Sequence, residues 1–388
     1  MAKFLFYDDK IVNILIKIEK PAGGAATQTL AWIRGLLDEG QEICVMTRSE
    51  NADALKDEYK NIKLIPLYEH KPGIRKRRSL YNSLRYLYCK IKEQRPDYIF
   101  VGIPGWESYF IAAISKYLKI KMIQRISSDA YVDGRHKINR MKIKGYLQSK
   151  IYTMVNLVVC QNDYQVDALR NVYPHSGNIV KIYNPYYSGN NHCNQDMRNS
   201  TERKYIAWIG LFHYPKNIPL LYDIASTFEK DTFKIAGTMG TSVDDTSLMY
   251  IEKLKLLPNV EFVGFLDRKQ IVKLLSGAKY LLNTSYYEGF SNTFLEAMSV
   301  GTPIMTSRAV NPDAIVEKYK LGIVYDTVND LKSKYIQIGS EQYEMMSGNA
   351  KKYVYHNHDH RRIAKQLLDI LGVSKNKYER SETLPVMQ

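Results

Sequence analysis

The chain alternates between short apolar segments and stretches of helical length along most of its 388 residues. Strands that are separated by helices pair in parallel, so this alternation predicts an α/β fold with helices on both faces of each sheet. The first half offers strands at 3–7, 42–47, 62–66, 98–102, 121–126, 156–160 and 179–182, with helices at 27–39, 76–94, 106–118 and 162–172. The second half offers strands at 204–209, 232–236, 259–263, 279–283, 303–306 and 322–325.

The length of the chain favours two domains over one. The polar stretch 189–203 contains four asparagines and no apolar periodicity, which predicts a linker. We expect a first domain at 1–188, the linker at 189–203, a second domain at 204–358, a C-terminal helix at 359–375 and a polar, frayed tail at 376–388.

Composition narrows the setting in which the protein works. No run of about 18 apolar residues is present, which argues against a transmembrane helix. The N-terminus lacks the apolar region of a signal peptide and is typical of a first strand. The four cysteines are far apart and match no metal-binding spacing, which indicates a reducing cytoplasm.

The net charge of +15 is distributed unevenly. Residues 1–188 contain 30 Lys and Arg against 18 Asp and Glu, whereas the remainder contains 25 against 22. A basic first half indicates an anionic partner, which is a nucleic acid, an acidic lipid or a phosphorylated substrate.

Two carboxylates eight positions apart, Glu288 and Glu296, enclose the stretch with the most chemical content. Gly289 lets a ligand approach the backbone, and Ser291 or Asn292 is a suitable N-cap for the helix that follows. The N–H groups of the first helical turn are expected to face outward and to favour an anion such as a diphosphate. Carboxylates in turn accept paired hydrogen bonds from vicinal hydroxyls of a ribose or hexose.

The surroundings of this stretch favour a binding site over a solvated surface helix. The apolar strand 280–283 comes just before it, so the glycine loop lies at the carboxyl end of a strand, where open α/β sheets bind ligands. Gly301 and Pro303 then end the helix.

The run from Tyr287 to Thr306 resembles the signature of retaining glycosyltransferases of the GT-B fold, glycosyltransferase group 1 (family four). The matching positions are Glu288, Gly289, Phe290, Ser291, Glu296, Ala297, Met298, Gly301 and Pro303. The resemblance implies two Rossmann-like domains whose parallel sheets face each other across a cleft. It also implies that helix 359–371 crosses back to the first domain.

The resemblance further implies an activity. A nucleoside-diphosphate sugar would bind mainly to the second domain, and the acceptor would bind to the basic first domain. Glu288 would hold hydroxyls of the transferred sugar, and Glu296 would hold the ribose. Lys216 matches the family's diphosphate-binding Lys, and with the N–H groups near Phe290 it would stabilise the departing diphosphate without a metal or cofactor.

Further family positions are matched only in part. The family carries a Gly-Gly loop near donor phosphate and acceptor, here Gly23 and Gly24, and its base-contacting turn corresponds to Gly264 and Phe265. Leu211 lies where the family has a second diphosphate-binding group, an Arg. Candidates to compensate for that missing Arg are Arg125, Arg135 and Lys137.

The family's catalytic His-Asp pair is also altered. Ser128 replaces the His, and Asp129 either binds an acceptor hydroxyl or caps the end of a strand. His136 and His213 are nearby alternatives to the missing His.

A basic segment joins a helix that carries leucines and tyrosines. We predict that its cations, Arg75, Lys76, Arg77, Arg78 and Arg85, attach the protein to the anionic inner face of the cell membrane. A second basic run at 135–150 strengthens this reading. An ordinary solvated helix is the alternative, and no nucleic-acid motif accompanies the charge, which argues against a nucleic-acid partner.

These features together predict a cytoplasmic, peripheral hexosyltransferase for cell-surface polysaccharide biosynthesis. Its acceptor would be a lipid-linked or growing polysaccharide chain. A sugar-nucleotide epimerase of the same fold and a catalytically silent nucleotide-sugar-binding protein remain alternatives.

Overall fold

The alternation of strands and helices folds into two separate parallel sheets, each covered by helices. The computed structural model describes residues 1–17, 23–47, 55–67, 80–133, 142–174, 177–187, 203–240 and 243–373. Each predicted strand is present, and its ends lie within one residue of the predicted bounds. The predicted α/β architecture is therefore confirmed.

The first sheet is built from residues before 182. Its strands are β1 (Lys3–Tyr7), β2 (Glu42–Thr47), β3 (Lys63–Pro66), β4 (Tyr98–Val101), β5 (Lys121–Arg125), β6 (Leu157–Cys160) and β7 (Asn178–Lys181). They pair in parallel in the order β3-β2-β1-β4-β5-β6-β7. The accompanying helices are α1 (Val12–Leu15), α2 (Gly24–Asp38), α3 (Leu80–Gln94), α4 (Trp106–Leu118), α5 (Lys142–Ile151) and α6 (Asp163–Val172).

The second sheet follows the same plan. Its strands are β8 (Tyr205–Ile209), β9 (Thr232–Ala236), β10 (Val260–Gly264), β11 (Ala278–Asn283), β12 (Ile304–Ser307) and β13 (Gly322–Tyr325), in the order β10-β9-β8-β11-β12-β13. Its helices are α7 (Ile218–Thr227), α8 (Asp245–Lys255), α9 (Arg268–Ser276), α10 (Asn292–Ser299), α11 (Ile315–Lys318), α12 (Val328–Gln337) and α13 (Ser340–Asn357), and α14 (His360–Ile370) ends the described chain.

Strand order reverses at one point in each sheet. In the first sheet the reversal lies between β1 and β4, and in the second it lies between β8 and β11. Ligands of open α/β sheets bind outside the carboxyl ends of the strands at such a reversal. The loops after these four strands are therefore where a site is expected.

The last helix, α14, packs against the first sheet rather than the second. Its Ile363 and Leu367 are buried in one core with Trp32 of α2. Gly35 allows the close approach, because a Cβ there would meet the His360 carbonyl oxygen at 2.3 Å. The C-terminal helix thus joins the two halves of the chain.

Some predictions need correction, and others cannot be assessed. The helix after the Gly-Gly loop begins at Gly24, not near Thr27, because Gly23 with φ 78° takes the cap position. Four stretches that carry predictions lie outside the described residues: 68–79 with Arg75, Lys76, Arg77 and Arg78, 134–141 with part of the second basic run, 188–202 with nearly all of the linker, and 374–388. Within the described ranges, no helix has the length and apolar character needed to cross a membrane.

Candidate active site in the cleft between the sheets

A cavity of about 490 Å³ lies between the two halves, where the loops after β1, β5, β8 and β11 meet. Most of the predicted donor site lines it: Gly23, Gly24, Lys216, Phe265, Glu288, Phe290, Ser291, Asn292 and Glu296. Residues that are distant in sequence therefore converge on one cavity at the strand-order reversals.

Lys216 and Glu288 meet at the reversal point of the second sheet. Lys216 ends a 3₁₀ turn after β8, and Glu288 lies in the loop after β11. The Lys216 Nζ lies 2.5 Å from Glu288 Oε1, which also accepts a hydrogen bond from Ser285 Oγ at 2.8 Å. Both charged side chains are about one-fifth exposed, so each remains accessible from the cavity.

Glu296 lies in the second turn of α10, and only 5% of it is exposed. Burial raises the pKa of its carboxyl from 4.5 to about 7, and the positive charge of Arg268 acts in the opposite direction. Arg268 also lines the cavity and was missed by the sequence analysis. The sequence offers a signal for its position, because it is the first residue of α9 and directly follows the helix cap Asp267 after β10.

The glycine loop is held by the first half of the chain. The Phe290 N–H donates to Gln161 Oε1 at 3.0 Å, and Asn162 Nδ2 donates to the Gly289 carbonyl at 3.0 Å. Asn184 Nδ2 donates to the Phe290 carbonyl at 3.2 Å. The Phe290 N–H, one of the groups near the helix start that were expected to serve a diphosphate, therefore already donates its hydrogen bond to a side chain of the other half.

The start of α10 agrees with the prediction in position but not in side-chain bonding. Ser291 occupies the cap position but makes no side-chain bond to the helix backbone, and its hydroxyl pairs with Thr293 Oγ1 at 2.9 Å. Asn292 reaches across the cleft instead. Its Nδ2 donates to the Gly24 carbonyl at 2.6 Å, and its Oδ1 accepts from Gln28 Nε2 at 2.5 Å. The starts of α2 and α10 are thereby tied together.

Asp129 does not line the cavity that holds Lys216. It lies in a 3₁₀ turn after β5, and its Oδ1 accepts from Gln165 Nε2 at 2.9 Å and from Asn162 Nδ2 at 3.2 Å. It borders a neighbouring cavity of about 810 Å³, together with Glu288 and Gly289. Glu288 therefore lies between the two cavities.

Two of the remaining predicted residues, Phe265 and His213, lie on the cavity wall, and Arg85 lies on a surface helix. Phe265 is 43% exposed on the cavity wall, and the Gly264 carbonyl accepts from the Gly237 N–H at 2.9 Å. His213 lines the cavity, and burial together with the charge of Lys216 lowers its pKa. Arg85 is exposed on α3.

Of the three cations that could compensate for the missing diphosphate-binding Arg, one lies in a described part of the chain. Leu211 lines the cavity from the second half, and Arg125 lines it from the first. Arg135, Lys137 and the alternative His136 lie outside the described residues.

Comparisons with known proteins agree with this geometry. Residues 194–353 match the family model described as glycosyl transferases group 1. The protein named Uncharacterized glycosyltransferase MJ1607 of Methanocaldococcus jannaschii is 23% identical, and the alignment covers 91% of this chain and 95% of that protein.

Solved structures share the fold. A sucrose-phosphate synthase from Thermosynechococcus elongatus superposes with a TM-score of 0.76 at 16% identity, over 96% of this chain and 98% of that one. Anabaena Alr3699/HepE in complex with UDP and glucose gives a TM-score of 0.72 at 16% identity, over 96% and 100%. The chain has the GT-B fold, and its residues 194–353 match the group 1 family of glycosyltransferases.

Proposed function

We propose that the protein is a retaining glycosyltransferase that moves a hexose-type sugar from a nucleoside-diphosphate sugar to a lipid-linked or polysaccharide acceptor. The observation that carries the proposal is the convergence of Lys216, Glu288 and Glu296 on one cavity at the strand-order reversal of the second sheet. This set offers one cation for a diphosphate and two carboxyl groups for hydroxyls.

The donor is expected to lie along the second half of the chain. Glu296 would bind the ribose hydroxyls, Phe265 would contact the base, and Lys216 would bind the diphosphate. Glu288, which touches Lys216 at 2.5 Å, would hold hydroxyls of the transferred sugar beside that diphosphate. The complex of HepE with UDP and glucose makes UDP-sugars the first donors to test.

The chemical step breaks the bond between the anomeric carbon and the diphosphate oxygen. The acceptor oxygen forms the new bond on the same face of the sugar, and its proton passes to the leaving phosphate. Lys216 would stabilise the negative charge that develops on the diphosphate, a role that needs neither a cofactor nor a metal ion. Asp129 is proposed to bind an acceptor hydroxyl next to Glu288.

The first half is proposed to approach the inner face of the cell membrane. Arg85 is exposed on α3. On the same helix the Lys92 Nζ lies 5.8 Å from the centre of the Tyr88 ring, which is 6.1 Å from that of Tyr117 on α4. Tyr117 is 75% exposed, and aromatic residues next to cations are suited to an anionic lipid surface. A membrane location would bring a lipid-linked acceptor for cell-surface glycan biosynthesis to the cleft.

A thermal-shift screen tests the donor assignment. A ligand that binds only the folded state raises the unfolding temperature, so we expect one nucleoside diphosphate and its sugar derivatives to do so. Glu296→Ala is expected to weaken binding of the ribonucleotide and to have a smaller effect on binding of the 2′-deoxy nucleotide. Failure of every nucleotide sugar to stabilise the wild-type protein would refute the proposal.

A further inference from the structure

One arginine in the wall of the cleft has a buried guanidinium nitrogen without a hydrogen-bond partner among the described residues. Arg125 ends β5, lines the cavity and is 3% exposed. Its Nη1 is buried, and no group in the described part of the chain accepts a hydrogen bond from it. A buried guanidinium in this state is unfavourable unless something else compensates its charge.

A second buried arginine shows what a structural role requires. Arg203 is 4% exposed, and its Nη1 donates to the Ala278 carbonyl at 3.0 Å and to Thr302 Oγ1. Its Nη2 donates to the Val300 carbonyl at 2.8 Å. Arg203 therefore fastens neighbouring segments together, and the Arg125 Nη1 makes no such contact among the described residues.

The neighbouring carboxylate is occupied elsewhere. Asp8 Oδ1 accepts from the N–H groups of Lys10 at 2.8 Å and Ile11 at 3.0 Å, and its Oδ2 accepts from Thr29 Oγ1 at 2.6 Å. Burial lowers the pKa of Arg125 to about 10 and the Asp8 charge raises it, so the guanidinium stays protonated at neutral pH. Its positive charge is thus available to a ligand.

The position of Arg125 indicates which ligand. It lines the first-half wall of the cavity with Ser127 and Ser128, whereas Lys216 and Glu296 line the opposite wall. The planar guanidinium matches the two oxygens of a phosphate or carboxylate. We propose that Arg125 binds an anionic group, a phosphate or a carboxylate, carried by the acceptor.

This inference rests on the proposed function, because it deepens the description of the acceptor. It also gives a use to part of the positive charge of the first half, where Lys and Arg outnumber Asp and Glu by 30 to 18. The acceptor would therefore be selected by charge as well as by shape.

Inorganic phosphate serves as the probe for this subsite. The full-length protein is saturated with UDP and titrated with phosphate at constant ionic strength, and the unfolding temperature is recorded. We expect phosphate to stabilise the wild type and to bind Arg125→Met at least tenfold more weakly. Equal effects on both proteins, or no effect on the wild type, would overturn the inference.

Stability without ligand separates binding from structure. Replacing a buried unpaired charge by an apolar side chain of similar length is expected to leave the unfolding temperature unchanged or to raise it. Arg203→Met is the matched control and should lower it. If Arg125→Met lowers the unfolding temperature as much as Arg203→Met does, Arg125 has a structural role and the inference is wrong.

Two further titrations identify the molecule that carries the anion. We expect Arg125→Met to bind UDP within twofold of the wild type. A tenfold loss of UDP affinity would assign Arg125 to the donor diphosphate. A preference of the wild type for UDP-glucuronate over UDP-glucose that vanishes in the variant would assign it to the donor sugar, and either result overturns the inference.

Nucleotide binding is measured before phosphate is added, so the two proposals fail in different ways. A wild-type protein that binds no nucleotide overturns the proposed function and this inference with it. Nucleotide binding without an Arg125-dependent phosphate effect overturns this inference alone.

Discussion

Opposite charges meet at the centre of the candidate site, and their pairing has consequences for each residue. Glu288 Oε1 lies 2.5 Å from Lys216 Nζ and 2.8 Å from Ser285 Oγ, so a donor must enter beside an existing ion pair. The pair keeps the Lys216 cation and the Glu288 acceptor at fixed positions before substrate arrives. Preorganised groups of this kind stabilise developing charge at little cost of reorganisation.

Replacing Glu288 tests its role in orienting the sugar. We expect Glu288→Gln to fold, to bind nucleotide as the wild type does and to turn over at least tenfold more slowly, which is about 1.4 kcal/mol of barrier. Steady-state kinetics and nucleotide titration measure the two effects. Glu317→Gln, whose carboxylate pairs with Arg308 on the surface, is the control. Normal turnover of a folded Glu288→Gln protein would remove this residue from the mechanism.

Glu296 makes stability depend on pH. Burial raises the pKa of its carboxyl from 4.5 to about 7, so the folded state binds a proton that the unfolded state releases. The contribution of Glu296 to the free energy of unfolding is therefore fully present below pH 4.5 and decreases as the pH rises to about 7. Above that pH the protein is less stable by roughly 3 kcal/mol.

The variant Glu296→Gln carries a neutral amide that does not ionise between pH 4.5 and 8. We expect it to match the wild-type unfolding temperature near pH 4.5 and to exceed it at pH 8. Melting curves across this range provide the measurement. A difference that does not change with pH would show that the carboxyl titrates normally in the folded protein.

At the scale of elements, α14 depends on a close approach to α2. A Cβ on Gly35 would lie 2.3 Å from the His360 carbonyl oxygen and 2.9 Å from Ala364 Cβ. We expect Gly35→Ala to push the helices apart and to destabilise the protein by about 1–3 kcal/mol.

A second helical glycine is the matched control for that change. Gly348 lies within α13, where an added Cβ meets nothing within 4 Å. Gly348→Ala should stabilise the protein by about 0.5–1 kcal/mol, because alanine favours the helix. Thermal unfolding distinguishes the two variants, and a Gly35→Ala protein as stable as Gly348→Ala would contradict the packing described here.

The elements were predictable from sequence and several contacts were not. Buried parallel strands such as β11 (Ala278–Asn283) stand out as apolar runs between helices, so their positions follow from local pattern. The hydrogen bond from Asn162 to the Gly289 carbonyl joins residues 127 positions apart. No local pattern indicates which loops of two domains meet, and for that reason the hydrogen bond from the Phe290 N–H to Gln161 Oε1 was not predicted.

At the scale of the whole molecule, we propose that the first half faces an anionic surface and that the second half holds the donor. We expect the protein to sediment with anionic vesicles at low salt and to be released as salt rises, since surface attraction is screened over about 8 Å at physiological ionic strength. Replacing Arg75, Lys76, Arg77 and Arg78 with Gln should weaken binding, at about 1 kcal/mol per residue. Equal binding to neutral and anionic vesicles would contradict the membrane proposal. It would indicate instead that the positive charge of the first half binds a soluble phosphorylated acceptor.

The central claim is that Lys216 binds the diphosphate of a nucleotide sugar in the cleft. Calorimetric titration of the wild type, Lys216→Met and the control Lys279→Met, whose Nζ lies 3.5 Å from Asp231 outside the cleft, tests it with a nucleoside diphosphate and its monophosphate. We expect the wild type and the control to prefer the diphosphate at least tenfold, about 1.4 kcal/mol, and Lys216→Met to lose most of this preference. Equal affinity of the wild type for both nucleotides, or a preference that survives in Lys216→Met, would contradict it.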